Sequence, residues 1–164
     1  MAAAGLLAPA LPVSAARARA GRSFHVSLSP AVVEANPDLL AIVRDAGVGT
    51  VWLAGYFYGH QPYSDDLLGR ARNRVTRAGL EAQLITVPLG HPGDSLGAMD
   101  GDFPLTPPAH WRTGQRPDGH TFAGTSLHPP ATVENAAALR SLRRLGFREG
   151  FVDDDFRLAR GPGE

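Results

Sequence analysis

From Phe24 onward the chain repeats one pattern: a short β-rich run, a loop of polar, Gly or Pro residues, then an amphipathic stretch closed by glycine. No other feature limits the possible folds as much. Strands alternating with helices predict a parallel sheet with right-handed crossovers, either open and doubly wound or closed into a barrel.

The first run, Phe24 to Ser29, alternates with period two, as a strand with two different faces does. Pro30 and the residues after it read as the loop that ends it. Asn36 caps the first expected helix with Pro37 at its first position, and Leu39, Leu40, Ile42, Val43 and Ala46 form the apolar stripe before Gly47. A second strand, Thr50 to Ala54, leads into the aromatic loop Gly55 to His60. Ser64 caps a second helix with Asp65 and Asp66 in its first turn, Leu67, Leu68, Ala71, Val75 and Ala78 on its buried face, and Gly79 at its end. Leu80 to Val87 is the third strand. A third helix runs from about Thr132 to Gly146, and Phe147 to Asp153 is the fourth strand.

The fold class is therefore α/β, expected as a partial (β/α)8 TIM barrel: four strands in sequential order, three helices, and a long insertion between the third strand and third helix. A typical barrel of this kind takes about 250 residues, so 164 including a leader and an insertion suggest its N-terminal half. A flavodoxin-like open sheet is the rival, and strand order 2-1-3-4 would identify it. Against it, the first strand lacks a Gly-rich turn for phosphate.

Two segments stand outside the repeat. Residues 1–23 are a leader or tail; Ala2 to Ala20 is rich in Ala, Leu and Pro and ends in small-x-small sequences, like a signal peptide without its basic start. Secretion or export to a periplasm is the corresponding expectation. Pro88 to Ala131 is dense in Pro, Gly, His and Asp, shows no periodic apolar face, and is long enough to suggest a functional loop.

Composition removes several function classes. Acidic and basic residues balance at 16 each, so no net field favours nucleic acid or an anionic membrane. Every basic residue is Arg, scattered along the chain. The absence of Cys excludes disulfides, a thiol nucleophile and thiolate metal sites.

Loops after strands gather at one face of a β-α barrel, which makes three groups candidates for a site. The sharpest is Asp153-Asp154-Asp155-Phe156, where an apolar strand ends in three carboxylates. Alternation puts Asp153 and Asp155 on one side and Asp154 on the other, and crowded carboxylates call for water, cations or a shared proton. The second group is Trp52, Tyr56, Phe57, Tyr58 and Tyr63, flat surfaces that suit the C–H faces of sugars. Core packing is the reading for Trp52 and Phe57, ligand contact for Tyr56 and Tyr58. The third is the insertion, with His91, Asp94, Asp102, His110, Trp111, Arg112, Arg116, Asp118, His120 and His128. It has no metal-ligand spacing such as H-E-x-x-H, so no metal or other cofactor is expected. His25 shares the polar face of the first strand with Ser27 and Ser29.

Phe151-Val152-Asp153-Asp154-Asp155-Phe156-Arg157 resembles the fourth-strand end of bacterial barrel glycoside hydrolases and their β-galactosidase-like relatives. Pro88-Leu89-Gly90-His91-Pro92-Gly93-Asp94 and Ser126-Leu127-His128-Pro129-Pro130 are similar to segments of that group, and the resemblance runs from Phe24 to the end. A barrel clan that includes α-galactosidases carries its nucleophilic Asp at this strand end, usually in Lys-x-Asp. That implies the role for Asp155, although Asp153 stands where the Lys would be. The Asn-Glu pair of another large clan is absent. The expected site has Asp153 and Asp155 as catalytic carboxylates, with Tyr56, Tyr58, His91, Trp111, Asp154 and Arg157 contacting a carbohydrate. Hydrolysis needs a second carboxylate from a later strand, so this chain alone is expected to be inactive. A metal-dependent polysaccharide deacetylase and a non-catalytic sugar-binding barrel are the alternatives.

Overall fold

The computed structural model describes residues 23–88, 107–115, 118–119, 121–125 and 128–153. Four parallel strands form its main sheet: β1 (Phe24–Leu28), β2 (Val48–Phe57), β3 (Glu81–Val87) and β6 (Gly150–Val152), in the order β1-β2-β3-β6. The expected sequential order is present, and each strand is parallel to its neighbour. Between them lie helices α1 (Pro30–Ala35), α2 (Leu39–Asp45), α3 (Asp65–Arg77) and α4 (Ala131–Arg144). A separate antiparallel pair, β4 (Thr113–Gln115) and β5 (Thr121–Thr125), sits within the insertion. No helix among the described residues is long and apolar enough to cross a membrane.

The helices cover one face of the sheet. Val51 and Leu53 of β2 and Leu84 of β3 are buried with Val33 of α1, Leu40 of α2, Leu68, Ala71 and Val75 of α3, and Leu142 of α4. Val26 and Leu28 of β1 and Ala82 of β3 pack against this cluster. Side chains of opposite parity point the other way, and His25, Ser27, Trp52, Ile85 and Phe151 line a shallow cavity of about 410 Å³ there. No described element packs over that second face, and Phe151 remains 50% exposed.

The second and third expected helices form close to their expected bounds. Ser64 accepts a hydrogen bond from the Leu67 N–H at 3.2 Å, Asp65 and Asp66 occupy the first turn of α3, and Arg74 and Arg77 its last. Gly47, Gly79 and Gly146 follow the helices at φ of +91°, +81° and +93°, the left-handed conformation that stops a helix at little steric cost.

The first expected helix is found as α2, with Asp38 rather than Asn36 at its N-cap position, and the stretch from Pro30 that reads as a loop is a further helix, α1. Ser29 is the N-cap of α1, with its Oγ accepting from the Val32 N–H at 3.1 Å and Pro30 in the first turn. Asn36 closes α1 instead, its side-chain amide donating to the Val32 carbonyl at 2.8 Å. Asp38 starts α2 without a side-chain cap. The short α1 is held from outside: Glu34 pairs with Arg70 and Arg74 of α3, and Arg74 also donates to the Glu34 carbonyl at 2.9 Å. Ile42, expected on the buried stripe, is 64% exposed.

β2 extends three residues past its expected end because Gly55 forms a bulge. Ala54 pairs with Ile85 and Tyr56 with Thr86, so two residues of β2 advance against one of β3. At the far edge Gln83 joins β3 to the approach of β6. Its amide nitrogen donates to Glu81 at 2.8 Å, and its oxygen accepts the Glu149 N–H at 2.9 Å. The ladder continues one residue past β6, where the Asp153 N–H donates to the Thr86 carbonyl at 3.0 Å.

Candidate functional site

Parallel strands bring the ends of β2, β3 and β6 to one rim of the sheet, and the bulge decides which side chains share a face there. Without it, Tyr56 would follow Trp52 and Ala54 onto the uncovered face. The extra residue reverses the alternation, and Tyr56 turns into the helix-side core, where it is 3% exposed. Burial, and then the charge of Glu134, push its phenol up to about 12. Tyr58 is 6% exposed and holds a left-handed φ of 47°, unusual for a bulky residue; its N–H donates to the Val87 carbonyl at 2.9 Å.

Trp111 comes to the same place from the insertion. A turn closed by the Trp111 N–H on the Pro108 carbonyl at 2.9 Å lays its ring against Gly59, where an added Cβ would lie 3.0 Å from the ring. Only 4% of Trp111 is exposed, and its indole N–H donates to Glu134 Oε2 at 2.7 Å. His110 Nε2 lies 2.9 Å from Glu134 Oε1, so both oxygens of this carboxylate have partners. The indole bond, then the imidazole bond, lower the pKa of Glu134 below the ordinary glutamate range; partial burial opposes them and the His110 charge assists.

The expected site residues thus divide. Trp111 is bonded to Glu134 behind the rim, and Trp111, Tyr56 and Tyr58 offer little ring surface to solvent. Asp153 ends β6 on the other side: it stands two residues beyond Phe151, and alternation points it toward the uncovered face. Asp153 is exposed. Asp154, Asp155, Arg157 and His91 lie outside the described residues, as does the leader from Ala2 to Ala20.

The uncovered face carries the aromatic surface. Trp52, expected in the core, lies beside His25 with 6.0 Å between ring centroids and 15° between planes, and 5.8 Å from Phe151. The indole N–H of Trp52 donates to His25 Nδ1 at 3.0 Å. The neutral imidazole then carries its proton on Nε2, which faces Ser23 Oγ at 2.8 Å.

Sequence reasoning missed Glu134. An acidic residue in the first turn of a helix reads as a complement to the helix dipole, and nothing local ties it to a His-Trp pair more than twenty positions earlier. The signal for the reversed Tyr56 was present: Gly55 inside a β-rich run marks a possible bulge. Among the described residues no group of three or more His, Asp and Glu side chains converges as a metal site would. Comparison with protein-family models, with curated proteins and with solved structures gives no match to this chain.

Proposed function

We propose that the chain supplies the N-terminal half of a (β/α)8 barrel of glycoside hydrolase type, with Asp153 and Asp155 at its site and a carbohydrate as substrate. The observation that carries the proposal is the position of Asp153: at the C-terminal end of the fourth parallel strand and, by alternation, on the face that the helices leave bare. In a closed barrel that end of the strands bears the active site.

The topology supports the same reading. Successive right-handed crossovers in one direction place every helix on one side, as in a closed barrel. A doubly wound sheet reverses direction and covers both faces. His25, Trp52 and Phe151 would then line the interior below the site, and the insertion would stand at the rim. Glycoside hydrolysis takes two carboxyl groups, roughly 5 Å apart in retaining enzymes and farther in inverting ones. The second would come from a later strand, so the chain alone is inactive under this proposal. Export, suggested by the leader, belongs to it as well.

The test is to express the chain with whatever coding sequence continues it and to assay a panel of aryl glycosides. Parent turnover should fall by orders of magnitude in Asp155→Asn or Asp153→Asn, with the melting temperature kept. Full activity in both variants would dismiss the acidic cluster. The exposed aromatic surface of Trp52 and Phe151 favours one second reading, a non-catalytic sugar-binding barrel. Saturable sugar binding without turnover would select it.

A further inference from the structure

We infer that Glu134 is the anchor that seats the segment around His110 and Trp111 against the rim of the sheet, and that it holds as a carboxylate and releases when protonated. The inference does not depend on what the site acts on. Two elements are joined at this carboxylate, the first turn of α4 and the Pro108–Trp111 turn, and its charge reaches Tyr56 at the end of β2. Trp111 is almost wholly buried and has one polar atom, which must find an acceptor behind the rim; Glu134 Oε2 at 2.7 Å is that acceptor.

The titratable groups facing Glu134 are His110 from the insertion and Tyr56 from β2. His110 can donate from Nε2 to Oε1 whether its ring is neutral or charged, so the attachment does not require imidazolium. Protonating Glu134 removes one acceptor oxygen and weakens the other bond, since hydrogen bonds to an ionised carboxylate are roughly twice as strong as neutral ones. The sign follows from linkage. The pKa of Glu134 is lowered in the folded chain, so its contribution is present above the unfolded value and is lost as pH falls through the folded one. What remains in acid is the packing of Pro108 and Trp111 on Gly59.

Trp52→Phe leaves Trp111 as the only indole and alters the opposite face of the sheet. In that background, Trp111 emission and amide exchange over residues 107–115 report seating, while exchange in β2 and β3 reports the fold. At neutral pH, Glu134→Ala should shift the emission to the red and speed exchange of 107–115 by tenfold or more with β2 and β3 unchanged. The Trp52→Phe protein with Glu134 intact should show the same change in acid, at a midpoint below the usual glutamate range. Glu134→Gln, which still offers an amide oxygen to the indole, should show no such midpoint. Parent-like emission and exchange in Glu134→Ala would overturn the anchor, and an acid transition that persists in Glu134→Gln would overturn the release. If the sheet itself opens in acid, the neutral-pH comparison of all three proteins decides.

Discussion

Gly55 and Gly59 decide where two aromatic rings, Tyr56 and Trp111, go. At Gly55 an added Cβ would lie 2.5 Å from Leu84 Cδ1, and the bulge it permits sends Tyr56 to the helix side. At Gly59 the φ of +86° and the Pro108 ring 2.6 Å from an added Cβ leave no room for a side chain. Gly59→Ala therefore combines a left-handed alanine with a clash against a rigid ring, and is expected to cost about 2 kcal/mol or more. Gly49→Ala, with nothing within 4 Å, is the control and should be close to neutral in the same thermal melts. Tyr56 supplies a second residue-scale expectation. Its phenol is raised from 10.0 to about 12, so the unfolded chain ionises first. The stabilising contribution is complete below pH 10 and is lost as pH rises toward 12. Melting temperatures measured across that range should fall less steeply in Tyr56→Phe than in the parent; equal slopes would show that this phenol is not what burial perturbs.

At the scale of elements, what was legible in the sequence is what local chemistry alone determines. α3 has its cap, its acidic first turn, its apolar stripe and its closing glycine within one short stretch, and all of them are found in place. Ser64→Ala is expected to cost about 1 kcal/mol through the lost bond to the Leu67 N–H. Ser29-Pro30 and Asn36-Pro37 both fit the cap-then-proline rule, and reading only the second as a helix start left α1 out. Burial of Val33 and the pairing of Glu34 with α3 hold that short helix. The β4–β5 pair left no readable signal, since its strands have three and five residues and no apolar alternation. Asp153 was legible as a strand-end carboxylate. Glu134 was not, because its partners come from a distant turn.

For the whole molecule the unresolved balance is between the two faces of the sheet. Parallel sheets are almost always covered on both faces, and here one carries the core while the other presents Trp52, Ile85 and Phe151. Among the described residues both sheet edges are open as well, because β1 and β6 each pair with one neighbour. Exposed aromatic surface and unpaired edges favour association. The chain is expected to bind a hydrophobic dye such as ANS while folded and to sediment with a weight-average mass that rises with concentration. Phe151→Ser should reduce both effects, because it removes an apolar ring on that face that is 50% exposed, with small cost to the core. A parent chain that stays monomeric and binds no dye would mean that the bare face needs no cover, and the half-barrel proposal would lose its structural motive. If instead association persists unchanged in Phe151→Ser, the open strand edges are its source, and a proline placed on β1 should suppress it, since proline cannot donate to a new strand.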